Sequence, residues 1–260
     1  MPPRITLLPG GINAGIGCGG NPSPSIRGEV KGWTAGAARR NMRFLQSVVT
    51  RELPSEGLAF TLTVRDCPSS SKEWGRLIKG LVQFLQRRGG VYLHWVTEWQ
   101  KRGAPHLHGV VYLSEFRPAL NVDILKYWLK ATEGLGTLAR GQHIEPIEGA
   151  SGWFQYMAKH ASRGHAHYQR EKGTLPSSWQ TTGQLWGKRG DWPCDEVQTE
   201  VTLQAWFLFR RLVRGYLVAG AMSDLKRAMR YGDKFSIRAA KRRLVYVRRM
   251  LKRNDRCASE

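Results

Sequence analysis

Two histidines two positions apart, His106 and His108, lie in an apolar run ending at Leu113, with an acid, Glu98, upstream of both. Side chains two apart on a strand project to one face, so both imidazoles can reach a single ion. Further along, Tyr156 and Lys159 are spaced to share one face of a helix. A divalent cation beside a phenol is apparatus for cutting a phosphodiester, because the ion can bind a phosphate oxygen while the phenol attacks phosphorus.

The elements on either side decide whether these groups meet. Residues 91–98 and 106–113 read as two strands joined by the basic turn Lys101-Arg102-Gly103. If Glu98 stands opposite His106, the carboxylate and both imidazoles are cross-strand neighbours on one face; a slip of one residue sends Glu98 to the other face. Two imidazoles, one carboxylate and open positions suit Mg²⁺ or Mn²⁺, with the nitrogen ligands favouring manganese. The competing reading makes His106 and His108 ordinary strand histidines and Glu98 a surface acid. His165-Ala-His167 repeats the spacing in a polar stretch that builds no strand, and no site is assigned to it. Tyr156 also has a competing reading, as a half-buried core residue of an amphipathic helix. A phenol titrates near pH 10 and needs help to attack. Lys159 can stabilise the phenolate or the phosphate charge, whereas His160 is equally readable as a second helper or as a surface histidine.

Around the site the pattern is regular. Leu58 to Val64 reads as a strand, and Ser70-x-x-Glu73 resembles a capping box before the helical stripe Trp74, Leu77, Ile78, Leu81, Val82 and Leu85. Gly89-Gly90 ends that helix. Asn121 is expected to cap a helix through Leu129, Gln142 to Ile147 to form a fourth strand carrying Pro146, and Ser151 to Ser162 to form the tyrosine helix. Strand, helix, strand, strand, helix, strand is the order of a ferredoxin-like split βαβ unit, an α+β fold whose antiparallel sheet leaves one face free for a ligand.

His106-Leu107-His108 and Tyr156-x-x-Lys159 resemble the second and third motifs of the HUH endonucleases, in particular the rolling-circle replication initiators of plasmids and single-stranded DNA phages. Phe60-Thr61-Leu62-Thr63 looks like their first motif, and Gln184-Leu185-Trp186-Gly187 looks like a segment that follows the third in some members. The resemblance covers roughly residues 58 to 190. It implies a ferredoxin-like palm, a divalent metal held by His106, His108 and Glu98, and Tyr156 as the nucleophile that leaves a 5′-phosphotyrosine and a free 3′-hydroxyl. It also implies that the hydroxyl primes a host polymerase and that reversal of the chemistry rejoins the strand. Lys159 and His160 occupy the positions where two-tyrosine members carry their second tyrosine, so the resemblance is to a single-tyrosine enzyme. Termination then falls to water, a second protomer or Tyr168.

The net charge of +21 over 260 residues favours a polyanionic partner, with nucleic acid ahead of an anionic membrane, while 41% apolar residues suffice for a core. Cys18, Cys67, Cys194 and Cys257 form no Cys-x-x-Cys pair, which argues against a zinc ribbon and fits a reducing cytoplasm. No secretory signal is recognised. Val201 to Met222 is long enough for a membrane span but has Arg210, Arg211 and Arg214 at its centre, so a soluble helix is expected.

Three regions follow. Residues 1–57 are expected to be a flexible, Gly/Pro-rich arm with a short basic helix around Arg39, Arg40, Arg43 and Arg51; residues 58–195 are the endonuclease domain; residues 196–260 are a basic helical region. In the second, Trp186, Lys188 and Arg189, flanked by Trp179 and Trp192, interleave aromatic and basic groups as a single-strand groove does, and Lys101 and Arg102 are placed to meet the scissile backbone. The competing reading makes the tryptophans caps of the core. In the third, Val201, Ala205, Leu208, Leu212 and Leu217 are expected to form an apolar face. Residues 221–260 hold thirteen Lys/Arg against four Asp/Glu, suited to duplex DNA beside a nick or to a homo-oligomer formed through Leu244, Val247 and Leu251. No GxxxxGK[ST] loop is present, so unwinding is left to a host helicase. The expected function is metal-dependent nicking and rejoining of single-stranded origin DNA to start rolling-circle replication. The alternatives are a single-tyrosine transposase of the same chemistry and a non-catalytic nucleic-acid binder on a ferredoxin-like sheet.

Overall fold

The computed structural model describes residues 2–16, 32–115, 117–147, 152–154, 157, 170, 175–176, 178–179, 181–232 and 234–256. In chain order the elements are β1 (Pro3–Leu8), β2 (Gly11–Ile16), α1 (Ala35–Ser47), β3 (Gly57–Thr63), α2 (Ser71–Arg87), β4 (Gly90–Trp99), β5 (Pro105–Leu113), α3 (Leu120–Ala131), β6 (His143–Pro146), β7 (Trp186–Arg189), β8 (Val197–Glu200), α4 (Leu203–Tyr231) and α5 (Lys234–Arg256). The fold is α+β, with antiparallel strand pairing in the main sheet and a helical C-terminal region. Gly152–Phe154 and Met157 are also helical, at the start of the expected tyrosine helix.

The chain divides into two units. The larger, Leu7–Ile12 with Asn21–Val197, is built on a five-stranded sheet in the order β6-β3-β5-β4-β7. β5 lies at its centre, and all nine of its residues are buried. That explains why this strand is almost wholly apolar apart from its two histidines. Leu58, Phe60 and Leu62 of β3 alternate with Ala59, Thr61 and Thr63 and turn their apolar side chains to the layer formed by α2 and α3. Trp74 of α2 and Trp128 of α3 meet there edge to face, with ring centroids 5.8 Å apart and an interplanar angle of 86°. Burial of such side chains stabilises by roughly 1.5–3 kcal/mol each. Gly109 is required at its place on β5, because the Phe60 ring lies 2.2 Å from where its Cβ would stand.

α2 starts where the sequence marks it. Ser70 Oγ accepts from the Glu73 amide at 3.3 Å, but Glu73 reaches back to Ser69, not Ser70, accepting from its amide at 2.8 Å and its hydroxyl at 2.7 Å. Gly89, at φ +88°, then reverses the chain. α3 departs from expectation, since it begins at Leu120 behind Ala119 (φ 61°) and takes no side-chain cap from Asn121. β6 forms as expected and tolerates Pro146 because, among the described strands, it lies at the edge and pairs with β3 alone.

The smaller unit comprises Met1–Thr6, Asn13–Gly20 and Gln198–Glu260. β1 and β2, within the stretch expected to be flexible, pair in a three-stranded sheet of order β2-β1-β8, and Arg4 binds Glu200 through two hydrogen bonds of 3.0 and 2.8 Å. Glycine and proline content hid these strands, because the partner strand lies almost two hundred residues away in sequence. α4 and α5 pack through Leu217, Val218, Ala221 and Leu225 against Leu244 and Val247. The expected apolar face is therefore corrected: Leu208 and Leu212 are 57% and 64% exposed, while Leu244 and Val247, expected at an oligomer contact, are buried within the helical pair. No helix among the described residues is long and apolar enough to cross a membrane.

Candidate metal centre

The register of the β4–β5 hairpin places Glu98 directly opposite His106, and Val96 opposite His108; on the other side of β5, Thr61 stands opposite His108. Direct cross-strand partners share a face, so Glu98, His106, His108 and Thr61 project together, with Glu98 and His108 as diagonal neighbours. Among the described residues this face is covered, not open as expected: Glu98, His106 and His108 are only 1%, 4% and 5% exposed.

One ligand atom from each of the three lies within 4.8 Å of the others. The imidazole rings of His106 and His108 meet at 78° with centroids 4.6 Å apart. His108 Nδ1 is 2.9 Å from Thr61 Oγ1, and its Nε2 is 3.7 Å from Glu98 Oε2, too long for a hydrogen bond. With Nδ1–H donated to Thr61, the lone pair of Nε2 is directed toward the carboxylate side, as a metal ligand requires. Oxygen and nitrogen ligands of a small divalent ion stand about 3 Å apart at right angles and about 4.2 Å apart when opposed, so small side-chain movements suffice to close this set on one ion. Two imidazole nitrogens and a carboxylate oxygen form a donor set suited to such an ion. The cluster can therefore bind a metal ion.

Residues 57–200 match the family described as Replication-associated protein ORF2/G2P. This chain belongs to that family. It is 43% identical over 230 residues to putative replication protein PDa0002 of Xylella fastidiosa (strain Temecula1), covering 84% of this chain and 83% of that protein. It is 38% identical over 222 residues to replication-associated protein G2P of Pseudomonas phage Pf3, covering 84% and 77%. No solved structure matches it.

Tyr156, Lys159 and His160, together with His165, His167 and Tyr168, lie outside the described residues. Lys101 and Arg102 are exposed on the turn between β4 and β5, but Arg102 donates to the carbonyls of Val64 and Arg65 and to Gln100 Oε1, so its guanidinium ties that turn to the end of β3. Trp179 and Trp192 are buried, donating Nε1–H to Pro68 O and Arg189 O, both at 2.8 Å. They belong to the core. The aromatic and basic groups of β7 separate by alternation. Trp186 and Lys188 share the histidine face, where both lie on Phe44: the Trp186 ring centroid is 6.2 Å away and Lys188 Nζ is 4.5 Å from the ring. Arg189 projects from the opposite face, beside Lys72 and Lys79 of α2 in a cavity of about 610 Å³. Gly187 between them is needed because the Trp95 ring lies 2.2 Å from where its Cβ would be.

Several residues of the site were not marked by the sequence reading. Arg170 donates Nε–H to Glu98 Oε1 at 2.7 Å and is buried. Thr61 lies inside a recognised motif, but only pairing with β5 assigns it to His108. His94, two rungs along β4 from Val96's neighbour Glu98, is fully buried, with Nε2 2.8 Å from Asn41 Oδ1 and Nδ1 accepting from Trp153 Nε1–H at 3.3 Å. Burial, and secondarily the Lys188 charge, lowers its pKa to about 3, so it is neutral and links α1, β4 and the segment that precedes Tyr156. Tyr112, also on the histidine face, has its phenol pKa pushed up by burial.

Proposed function

We propose that this replication-associated protein is an HUH-type, single-tyrosine DNA endonuclease that nicks and rejoins one strand at a replication origin to start rolling-circle replication. The convergence of Glu98, His106 and His108 on one point of a buried strand pair, inside the region that matches the ORF2/G2P family, carries this reading. The sheet order supports a ferredoxin-like palm, because counting β3, β4, β5 and β6 as first to fourth gives the spatial order fourth, first, third, second.

His106, His108 and Glu98 would hold Mg²⁺ or Mn²⁺, which supplies charge stabilisation at a non-bridging oxygen of the scissile phosphate. The Tyr156 hydroxyl attacks phosphorus in line; the 3′-oxygen leaves and becomes a 3′-hydroxyl, and the strand's 5′-phosphate stays on the tyrosine. Lys159 stabilises the phenolate. Since the phosphodiester is exchanged for a phosphotyrosyl ester, the reverse reaction rejoins the strand without a nucleotide cofactor. Host polymerase extends the 3′-hydroxyl and a host helicase opens the duplex in the bacterial cytoplasm. Exposed Lys101, Lys188 and Arg189 contribute phosphate contacts, and the +21 charge draws the chain to DNA.

The test uses 3′-labelled single-stranded oligonucleotides tiling the replicon that carries the gene, incubated with purified full-length protein and Mn²⁺. One oligonucleotide should yield a labelled covalent adduct that Tyr156→Phe cannot form. Tight binding across the tiles with no cleavage of any would refute the reading.

A further inference from the structure

The two carboxylate oxygens of Glu98 have different neighbours. Oε1 accepts from Arg170 Nε–H at 2.7 Å, while Oε2 lies on the His108 side, 3.7 Å from Nε2. Arg170 is 1% exposed, and its guanidinium carbon sits 4.4 Å over the Trp33 ring. Trp33 is fixed in turn, donating Nε1–H to the carbonyl of Thr97, the residue before Glu98, at 3.0 Å. The Nη1 and Nη2 atoms of Arg170 are buried and donate no hydrogen bond. A buried guanidinium that leaves both terminal nitrogens unspent is a costly feature, compensated by the one carboxylate it holds and the indole face beneath it.

We propose that Arg170 is the resident counter-ion of the metal centre: it positions Glu98 by occupying Oε1, leaves Oε2 to the incoming divalent ion, and sets how tightly that ion is held. The inference rests on the reading of Glu98, His106 and His108 as metal ligands. The Arg170 guanidinium compensates the Glu98 carboxylate before any metal arrives. A guanidinium does not surrender its proton in a protein, so its repulsion of a divalent ion a few ångströms away persists after binding. The site therefore holds its ion reversibly and keeps its shape without it. Arginine suits this role better than lysine, because the fixed Nε–H selects one carboxylate oxygen while the planar group stacks on Trp33.

The test compares full-length wild type, Arg170→Gln and Arg170→Lys without DNA, with free Mn²⁺ counted by electron paramagnetic resonance. Arg170→Gln, which removes the charge and keeps a donor, should bind Mn²⁺ at least about tenfold more tightly than wild type. It should melt lower than wild type without metal and gain more from added Mn²⁺, and Arg170→Lys should restore the weaker affinity. Equal or weaker Mn²⁺ binding by Arg170→Gln would overturn the role of Arg170 while leaving the metal centre standing. Wild-type protein that binds no more Mn²⁺ than His106→Ala would overturn both. If Arg170→Gln does not fold, the ¹⁵N-arginine spectrum of wild type serves instead: a slowly exchanging Nε–H signal, assigned by its loss in Arg170→Lys, should persist at saturating Mg²⁺, and its disappearance would refute retention of Oε1.

Discussion

Three buried histidines lie on one face of the same sheet, and His94 has a character opposite to that of His106 and His108. Both nitrogens of His94 meet fixed protein partners, the Asn41 side-chain oxygen Oδ1 and the Trp153 indole N–H. His108 has one nitrogen on Thr61, and its other converges with Glu98 and His106 within 4.8 Å. A buried imidazole with both nitrogens engaged by immovable groups is a strut, held neutral and in one tautomer. A buried imidazole whose lone pair converges with a carboxylate and a second imidazole is a socket for a cation. Similar burial therefore gives rigidity at His94 on β4 and a capacity for ion binding at His106 and His108 on the neighbouring β5.

The largest separation should come from alanine. His106→Ala or His108→Ala should cut nicking by about 1,000-fold, roughly 4 kcal/mol of transition-state stabilisation, and abolish Mn²⁺ binding with little change in denaturant midpoint. His94→Ala should do the reverse, costing about 3 kcal/mol in denaturant unfolding because Asn41 and Trp153 lose their shared partner, while Mn²⁺ affinity is kept. Equal loss of metal binding in both would erase the distinction.

Acid titration sharpens it. The folded pKa of His94 is lowered from 6.5 to about 3, so its contribution is full above about pH 6.5 and is lost as pH falls toward 3, where the unfolded chain holds the extra proton. Wild type should lose about 1.4 kcal/mol per pH unit more than His94→Gln across that window, measured by unfolding at successive pH values. Parallel pH profiles would show that His94 is not buried neutral. The smallest effect belongs to Thr61→Val, which removes the group that fixes the His108 tautomer and should weaken Mn²⁺ binding about tenfold by calorimetry without altering stability beyond about 1 kcal/mol.

Much of this was legible in advance because the relevant signals are local. Strand periodicity around His106, the turn at Lys101-Arg102-Gly103 and the cap at Ser70 are each set by a few adjacent residues. The hairpin itself follows from them, whereas its register, with Glu98 opposite His106, is supplied by the folded sheet. The sequence left matters open, or misled, where the deciding contact is distant. It leaves Trp179 and Trp192 between base stacking and the core because it does not reveal that Pro68 O and Arg189 O receive their indole protons, nor that the carbonyls of Val64 and Arg65, just beyond β3, hold the Arg102 guanidinium. Leu208 and Leu212 fit a helical apolar face by spacing, yet α5 packs on the Leu217 and Ala221 side of α4.

The sequence by itself determined the chemistry of the candidate ligands, the two strands that present them and the strong positive charge, because residue chemistry and period-two alternation need no distant partner. The tertiary structure decided that Thr61 serves His108, that Arg170 serves Glu98 and that His94 serves Asn41 and Trp153. Each of those pairings joins residues tens of positions apart, and only the packing of strands and covering segments can say which buried polar groups satisfy one another and which are left to converge.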